Sequence, residues 1–132
     1  MAQESRNWQP ITLGPDVPAP AGPYSPGTRA GRMIFVSGQV PKDPRTGAVV
    51  GDDIATQSRQ TLENLKAVLA AGGATLRDVV MVTVYLANED HWGDFNVVYK
   101  TMFEPPYPAR AVVGAGLRGI LVEISAVAWV AE

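Results

Sequence analysis

Arg110 closes the run Tyr107-Pro108-Ala109-Arg110, and Glu123 follows thirteen residues later inside an otherwise apolar stretch, Ile120 to Val130. Arg110 opens a strand-like segment, Ala111-Val112-Val113. A guanidinium is a planar fork that grips a carboxylate through two hydrogen bonds. A carboxylate within an apolar strand is costly unless it is paired or used. Arg110 therefore reads as a carboxylate anchor, or as a strand-end arginine serving backbone carbonyls or a surface carboxylate. Glu123 reads as a base or a holder of water in a partly dry cleft, or as one half of a structural salt bridge, with Arg110 a candidate partner. Together they point to a small-molecule site.

Other residues could complete such a site. Tyr24, in Gly22-Pro23-Tyr24-Ser25, could cover a ligand or pack its own proline loop. Ser37-Gly38-Gln39 ends a strand with a small residue and exposed backbone groups, which could approach a ligand or form a β-bulge. Asn96 could contact a ligand from a helix, or be solvated there. His91, the only histidine, reads as a first-turn helix residue beside Trp92. With no Gly-x-Ser-x-Gly elbow, it supports no serine–histidine triad. One histidine and no cysteine leave no metal-ligand spacing, so no metal is expected. Gly114-Ala115-Gly116 lacks the following helix of a dinucleotide fingerprint, and no phosphate-binding loop is present. Arg29, Arg32 and Arg45 read as solvated surface charges.

The elements that must position these residues follow in order. Residues 1–8 form a polar, frayed start, and Gln9 to Leu13 a short edge strand. Residues 14–27 carry five prolines and three glycines, a shaped loop rather than a helix or interior strand. Met33 to Ser37 is a strand interrupted at Gly38-Gln39, and Pro41 to Gly47 is a turn. Asp52 or Asp53 caps a helix running to Ala71, with Ile54, Leu62, Leu65 and Leu69 as its stripe and Gly72-Gly73 as its end. Asp78 to Leu86 is a strand rich in β-branched residues. Asn88 or Glu89 starts a second helix to Phe103, with Trp92, Phe95, Tyr99 and Met102 on one stripe and Pro105-Pro106 beyond it. Arg110 to Gly114 and Ile120 to Ala131 are the last strands.

Strand alternation assigns faces. Val80, Val82, Val84 and Leu86 share one apolar face, as do Ile120, Val122, Ile124, Ala126, Ala128 and Val130. These faces should pack on the two helices. Val79, Met81, Thr83 and Tyr85, and Leu121, Glu123, Ser125, Val127 and Trp129, form a mixed face. Two helices cannot cover both sides of a five- or six-stranded sheet, so the mixed face is expected to meet other copies of the chain, with its polar groups lining a cleft.

The bulk numbers fit this picture. The 132 residues suit a single domain, and 46% hydrophobic residues suffice for a core. A net charge of -2 offers no general attraction for nucleic acid. The absence of cysteine suits a reducing compartment. No apolar run approaches the roughly 18 residues of a membrane span, and the start lacks a signal-peptide core. A cytoplasmic protein without nucleic-acid or membrane partners is expected.

Taken in order, Gly22-Pro23-Tyr24-Ser25, Val36-Ser37-Gly38-Gln39-Val40-Pro41, the Thr46-Gly47 turn, Gln57 with Gln60-Thr61-Leu62-Glu63-Asn64-Leu65, Asn96-Val97-Val98-Tyr99, Tyr107-Pro108-Ala109-Arg110 and Val122-Glu123-Ile124-Ser125-Ala126 resemble the RidA/YjgF family of imine and enamine deaminases. The resemblance implies an α+β, chorismate-mutase-like fold, with two helices on one face of a five- to six-stranded sheet. It also implies a homotrimer built as a central barrel with clefts between subunits. It places the carboxylate-binding arginine on Arg110 and the water-positioning glutamate on Glu123. The cleft tyrosine falls on Tyr24, with Ser37, Gly38 and Asn96 nearby. It implies hydrolysis of 2-imino acids of the 2-iminopropanoate or 2-iminobutanoate type to 2-keto acids and ammonia, without a cofactor. The chain departs from the family at Val112, where many members carry cysteine, serine or threonine, and in the link Gly116-Leu117-Arg118-Gly119. Val112 would therefore bear on substrate range. A deaminase for 2-aminomuconate or aminoacrylate-type compounds and a non-catalytic, carboxylate-binding regulatory trimer are the alternatives. An RNA-directed role, attributed to some members, fits the acidic balance poorly.

Overall fold

The computed structural model describes residues 5–12 and 14–131. In chain order its elements are β1 (Gln9–Pro10), β2 (Gly27–Ala30), β3 (Met33–Gln39), α1 (Ile54–Ala71), β4 (Val79–Leu86), α2 (Trp92–Met102), β5 (Ala109–Gly114) and β6 (Val122–Trp129). Single 3-10 turns, Leu76–Asp78 and Glu89–His91, precede β4 and α2. The strands form one sheet in the order β1-β2-β3-β6-β4-β5. Among the described residues only β4 and β5 run parallel. A parallel pair needs a crossover, and α2 supplies it. The fold is α+β and chorismate-mutase-like, with both helices packed on the sheet, as expected. Among the described residues no helix is long and apolar enough to cross a membrane.

Local chemistry explains most boundaries. The Asp53 carboxylate accepts hydrogen bonds from the Thr56 backbone N–H at 2.9 Å and the Thr56 hydroxyl at 3.0 Å, capping α1. These bonds hold its carboxyl below the usual range. Gly73, at φ +90°, supplies the left-handed turn that ends α1. The buried face of α1 carries Ile54, Leu62, Leu65, Val68 and Leu69, packed against Ile34, Val36, Val82, Val84, Ile124 and Ala126.

Two buried amides on α1 tie the loops to this core. Asn64 Nδ2 donates to the carbonyls of Val40 and Lys42, each at 2.8 Å. Gln57 Nε2 donates to the Gly51 carbonyl at 3.0 Å, and its Oε1 accepts the Leu121 N–H at 2.8 Å. Asn64→Ala removes the side-chain donor from both carbonyls, leaving the Val40 carbonyl with only the Lys42 N–H. Its expected cost is about 1–3 kcal/mol, read as a lower urea midpoint; an unchanged midpoint would show that water replaces the amide.

The structure corrects several expectations. β1 covers only Gln9–Pro10, while Leu13 lies outside the described residues. Of the polar start, residues 5–8 are exposed, and residues 1–4 lie outside the described residues. β2, which the sequence did not announce, pairs with both β1 and β3. β3 continues through Gly38 and Gln39 instead of stopping at Ser37.

The faces of β4 also invert at its start. Val79 is 6% exposed and Val80 47%, the reverse of simple alternation. Val79 pairs with Ala128 and Met81 with Val127, so Val80 is an extra residue in the ladder, a β-bulge. On α2 the buried residues are Phe95, Val98 and Tyr99, whereas Trp92 is half exposed. Arg29 and Arg32 are structural rather than merely solvated. Arg29 Nη1 donates to the Gly72 carbonyl at 3.1 Å, and Arg32 Nε to the Val130 carbonyl at 2.9 Å, with its guanidinium 4.7 Å from the Trp129 ring. Arg45 is exposed, as expected.

The sheet face away from the helices stays uncovered in the single chain. Phe35, Val113 and Trp129 are exposed there, among half-buried Met81, Thr83, Tyr85, Glu123, Ser125 and Val127.

Candidate functional site

The predicted residues separate into two groups on opposite faces of the sheet. In the first, Arg110 sits on the edge strand β5 and pairs with Val82. Paired residues share a face, and Val82 is fully buried under the helices, so Arg110 points toward α2. Its guanidinium carbon lies 4.7 Å from the Tyr99 ring centroid, 5.6 Å from Trp92 and 6.0 Å from Phe95. Residues 92, 95 and 99 recur at the spacing of one helical face, which is why a single helix can offer all three rings. Each such contact is worth about 0.5–2 kcal/mol. Among the described residues no carboxylate lies within 4.0 Å of Arg110, so its N–H fork has no anionic partner.

Arg110 opens onto a cavity of about 260 Å³ lined by Asn96, Tyr99, Lys100, Tyr107, Pro108 and Arg110. Two cations and no acid line it. Asn96 thus belongs with Arg110, although its residue type alone favoured a solvated position. Val112 lies two residues along β5 on the same face, half-buried against the core. Tyr99 is 4% exposed, and its hydroxyl is buried without a hydrogen-bond partner among the described residues. Burial pushes its pKa up, against the pull of the Arg110 charge, so the phenol stays neutral. A second cavity of about 330 Å³, between Leu76–Val79 and Met102–Pro108, holds none of the predicted residues.

In the second group, Glu123 pairs with Tyr85 on the uncovered face. Beside it β3 bulges. Val36 pairs with Ala126 and Gln39 with Ile124, leaving Ser37 and Gly38 both opposite Ser125. The Glu123 side chain lies over Gly38: a Cβ at residue 38 would sit 2.5 Å from Oε2 and 2.9 Å from Cδ. Glycine is needed there for that close approach. The Ser37 hydroxyl donates to the Ser25 carbonyl at 2.6 Å, and the Ser37 N–H to the Pro26 carbonyl at 3.0 Å. The Tyr24 loop is thereby tied to the bulge, and of the backbone groups of Ser37-Gly38-Gln39 that could approach a ligand, the Ser37 N–H is already used. Tyr24 is half exposed, and its hydroxyl accepts the Ala21 N–H at 3.2 Å.

Arg110 and Glu123 do not meet within a chain. Their strands flank β4, with a register offset of three residues. At about 4.8 Å between strands and about 3.3 Å per residue, their Cα atoms stand about 14 Å apart. Their side chains leave opposite faces, which removes the intrachain salt bridge as an explanation of Glu123. The wall residues Tyr99, Lys100 and Tyr107, and Trp92 beside the Arg110 guanidinium, were missed as site residues. The signal available was Tyr99, one helical turn from Asn96, but its stripe read equally well as core. His91 lines neither group, and its Nδ1 is buried without a partner. Among the described residues no three acidic or histidine side chains are placed to hold a metal ion.

The family model described as Endoribonuclease L-PSP matches residues 15–130. A RutC family protein of Pyrococcus horikoshii is 44% identical over 116 residues, 86% of this chain and 92% of that protein. The 2-iminobutanoate/2-iminopropanoate deaminase of Mus musculus is 42% identical over 113 residues, 84% of each chain. The crystal structure of E. coli TdcF with bound serine matches with a TM-score of 0.86 at 33% identity, covering 93% of this chain and 100% of that one.

Proposed function

The chain belongs to the RidA/YjgF family, and from that premise we propose that it hydrolyses reactive 2-imino acids and their enamine tautomers to 2-keto acids and ammonia. The observation that carries this reading is Arg110: a guanidinium held among aromatic faces, without an acidic partner, at the wall of a cavity. Such a fork is ready for a small carboxylate. The deaminase name of the mouse relative and the serine bound to E. coli TdcF support a small amino- or imino-acid ligand. The net charge of -2 favours such a ligand over RNA.

The chemistry follows from positions. Arg110 clamps the substrate carboxylate and so fixes the imine carbon. Glu123 orients a water and takes its proton as the oxygen attacks that carbon. The proton is returned to the amine nitrogen of the carbinolamine, the Glu123 carboxylate takes the remaining hydroxyl proton, the C–N bond breaks, and ammonia leaves as the carbonyl forms. Acid–base help of this kind supplies about 10²–10⁴-fold, and the reaction requires no cofactor. Because Arg110 and Glu123 occupy opposite faces, we propose that each site joins the Arg110 group of one copy to the Glu123 group of another in a homotrimer. The uncovered mixed face, with Phe35, Val113 and Trp129 exposed on it, and the free edge of β5 support that assembly. In it, Val112 gives the anchor an aliphatic neighbour, disfavouring substrates that need a hydroxyl or thiol there.

The direct test generates 2-iminopropanoate or 2-iminobutanoate in situ and measures ammonia release above the spontaneous rate. Binding of 2-oxobutanoate in calorimetry without acceleration of any imine would make the protein a carboxylate-binding trimer instead. A second substrate reading, the dicarboxylate 2-aminomuconate type, is favoured by Lys100 beside Arg110 in the cavity. Sedimentation at micromolar concentration should give three times the chain mass; a monomer would sink the shared site. Gly38→Ala should displace the carboxylate of Glu123 while leaving the fold intact, because the clash falls on the far end of a flexible side chain. Its expected signature is a near-normal melting temperature with at least about tenfold lower turnover. Normal turnover would show that Glu123 need not lie over Gly38.

A further inference from the structure

We infer that Tyr99 is a positioning residue for Arg110: its ring face, in place of a carboxylate, sets where the guanidinium stands in the cavity. The inference rests on the reading of Arg110 as the carboxylate anchor.

An arginine side chain carries about 2 kcal/mol of rotamer entropy, so a useful anchor must be held before the ligand arrives. An acidic neighbour would hold it but would occupy the same N–H fork that the ligand needs. An aromatic face attracts the cation through the ring quadrupole and leaves the in-plane N–H groups available. Of the three rings around Arg110, Tyr99 is the nearest, at 4.7 Å against 5.6 Å for Trp92 and 6.0 Å for Phe95. Trp92 is half exposed and so less firmly placed. Tyr99 is immobilised on both sides: it stacks on Phe103 at 4.5 Å with 19° between the planes, and tilts against Phe95 at 5.7 Å. Because its phenol is neutral, it acts as a quadrupole and not as a competing anion. The partnerless hydroxyl is dispensable for this role, since a buried, unsatisfied hydroxyl costs stability.

The test compares Tyr99→Phe and Tyr99→Leu. Tyr99→Phe keeps the ring and is expected to recover most of the KM that Tyr99→Leu loses, with an equal or higher melting temperature. Tyr99→Leu removes the ring and is expected to raise KM for 2-iminobutanoate by about 2- to 30-fold, with kcat within about twofold. Inhibition by 2-oxobutanoate should weaken by the same factor. A purely structural role would instead lower the melting temperature and the active fraction, leaving KM and the inhibition constant unchanged. That result overturns the inference, as does a Tyr99→Phe variant as impaired as Tyr99→Leu. If Tyr99→Leu does not fold, Tyr99→Met supplies an adaptable apolar side chain for the same comparison. A parent protein that binds 2-oxobutanoate but tolerates loss of the ring overturns the role of Tyr99 alone. A parent protein that neither binds it nor accelerates imine hydrolysis overturns the anchor as well.

Discussion

Arg110→Ala is expected to lower kcat/KM for 2-iminobutanoate by about 30- to 1000-fold, the equivalent of ~2–4 kcal/mol for truncating one partner of a desolvated charge pair. Much of the loss should appear in KM, because the substrate carboxylate is gripped in the ground state as well as in the transition state. A further part should appear in kcat, because the imine carbon is no longer held over the water. The fold should tolerate the change. Arg110 is half-buried on an edge strand and has no acidic partner among the described residues, so its removal strands no opposite charge. Arg110→Lys should recover little, since an ammonium is a point charge without the two-pronged fork. Ammonia release at the parental rate from a folded Arg110→Ala protein would refute the site.

Glu123→Gln is expected to give the second large effect, a fall in kcat of about 10²–10⁴-fold with KM little changed. Glutamine keeps the shape that lies over Gly38, so the change removes basicity and almost nothing else. The two variants together also test whether sites are shared between copies. Refolding Arg110→Ala and Glu123→Gln chains as a mixture should restore activity that neither has alone. In mixed trimers, an intact arginine from one variant can face an intact glutamate from the other, in roughly a quarter of sites for random assembly. Failure of the mixture to recover any activity, with trimers confirmed by sedimentation, would place each site within a single chain.

Much of the fold could be read from local pattern. Asp53 and Gly72-Gly73 bracket α1 because capping chemistry acts over three or four residues. Along β6, alternation assigned Glu123, Ser125 and Val127 to the uncovered face, as found. β2 escaped because four residues, Gly27–Ala30, carry almost no periodic signal and exist as a strand only through β1 and β3. The bulge at Val80 escaped for a related reason: an extra residue is defined by the partner strand opposite it. The stripe of Trp92, Phe95, Tyr99 and Met102 leaves the Arg110 cavity unmarked, because a helical stripe records which residues share a face, not what that face meets.

The candidate site shows the same division. By itself the sequence determined which residues are the candidates for the chemistry, since a guanidinium at a strand start and a carboxylate in an apolar strand stand out whatever the fold. It also determined the family, through motifs whose order survives along the chain. Only the tertiary structure decided that Arg110 looks toward Tyr99 while Glu123 looks the other way, two strands and three residues apart. Side-chain alternation is a property of covalent neighbours. The relation between β5 and β6 is instead set by hydrogen-bond register across β4, between residues distant in the chain.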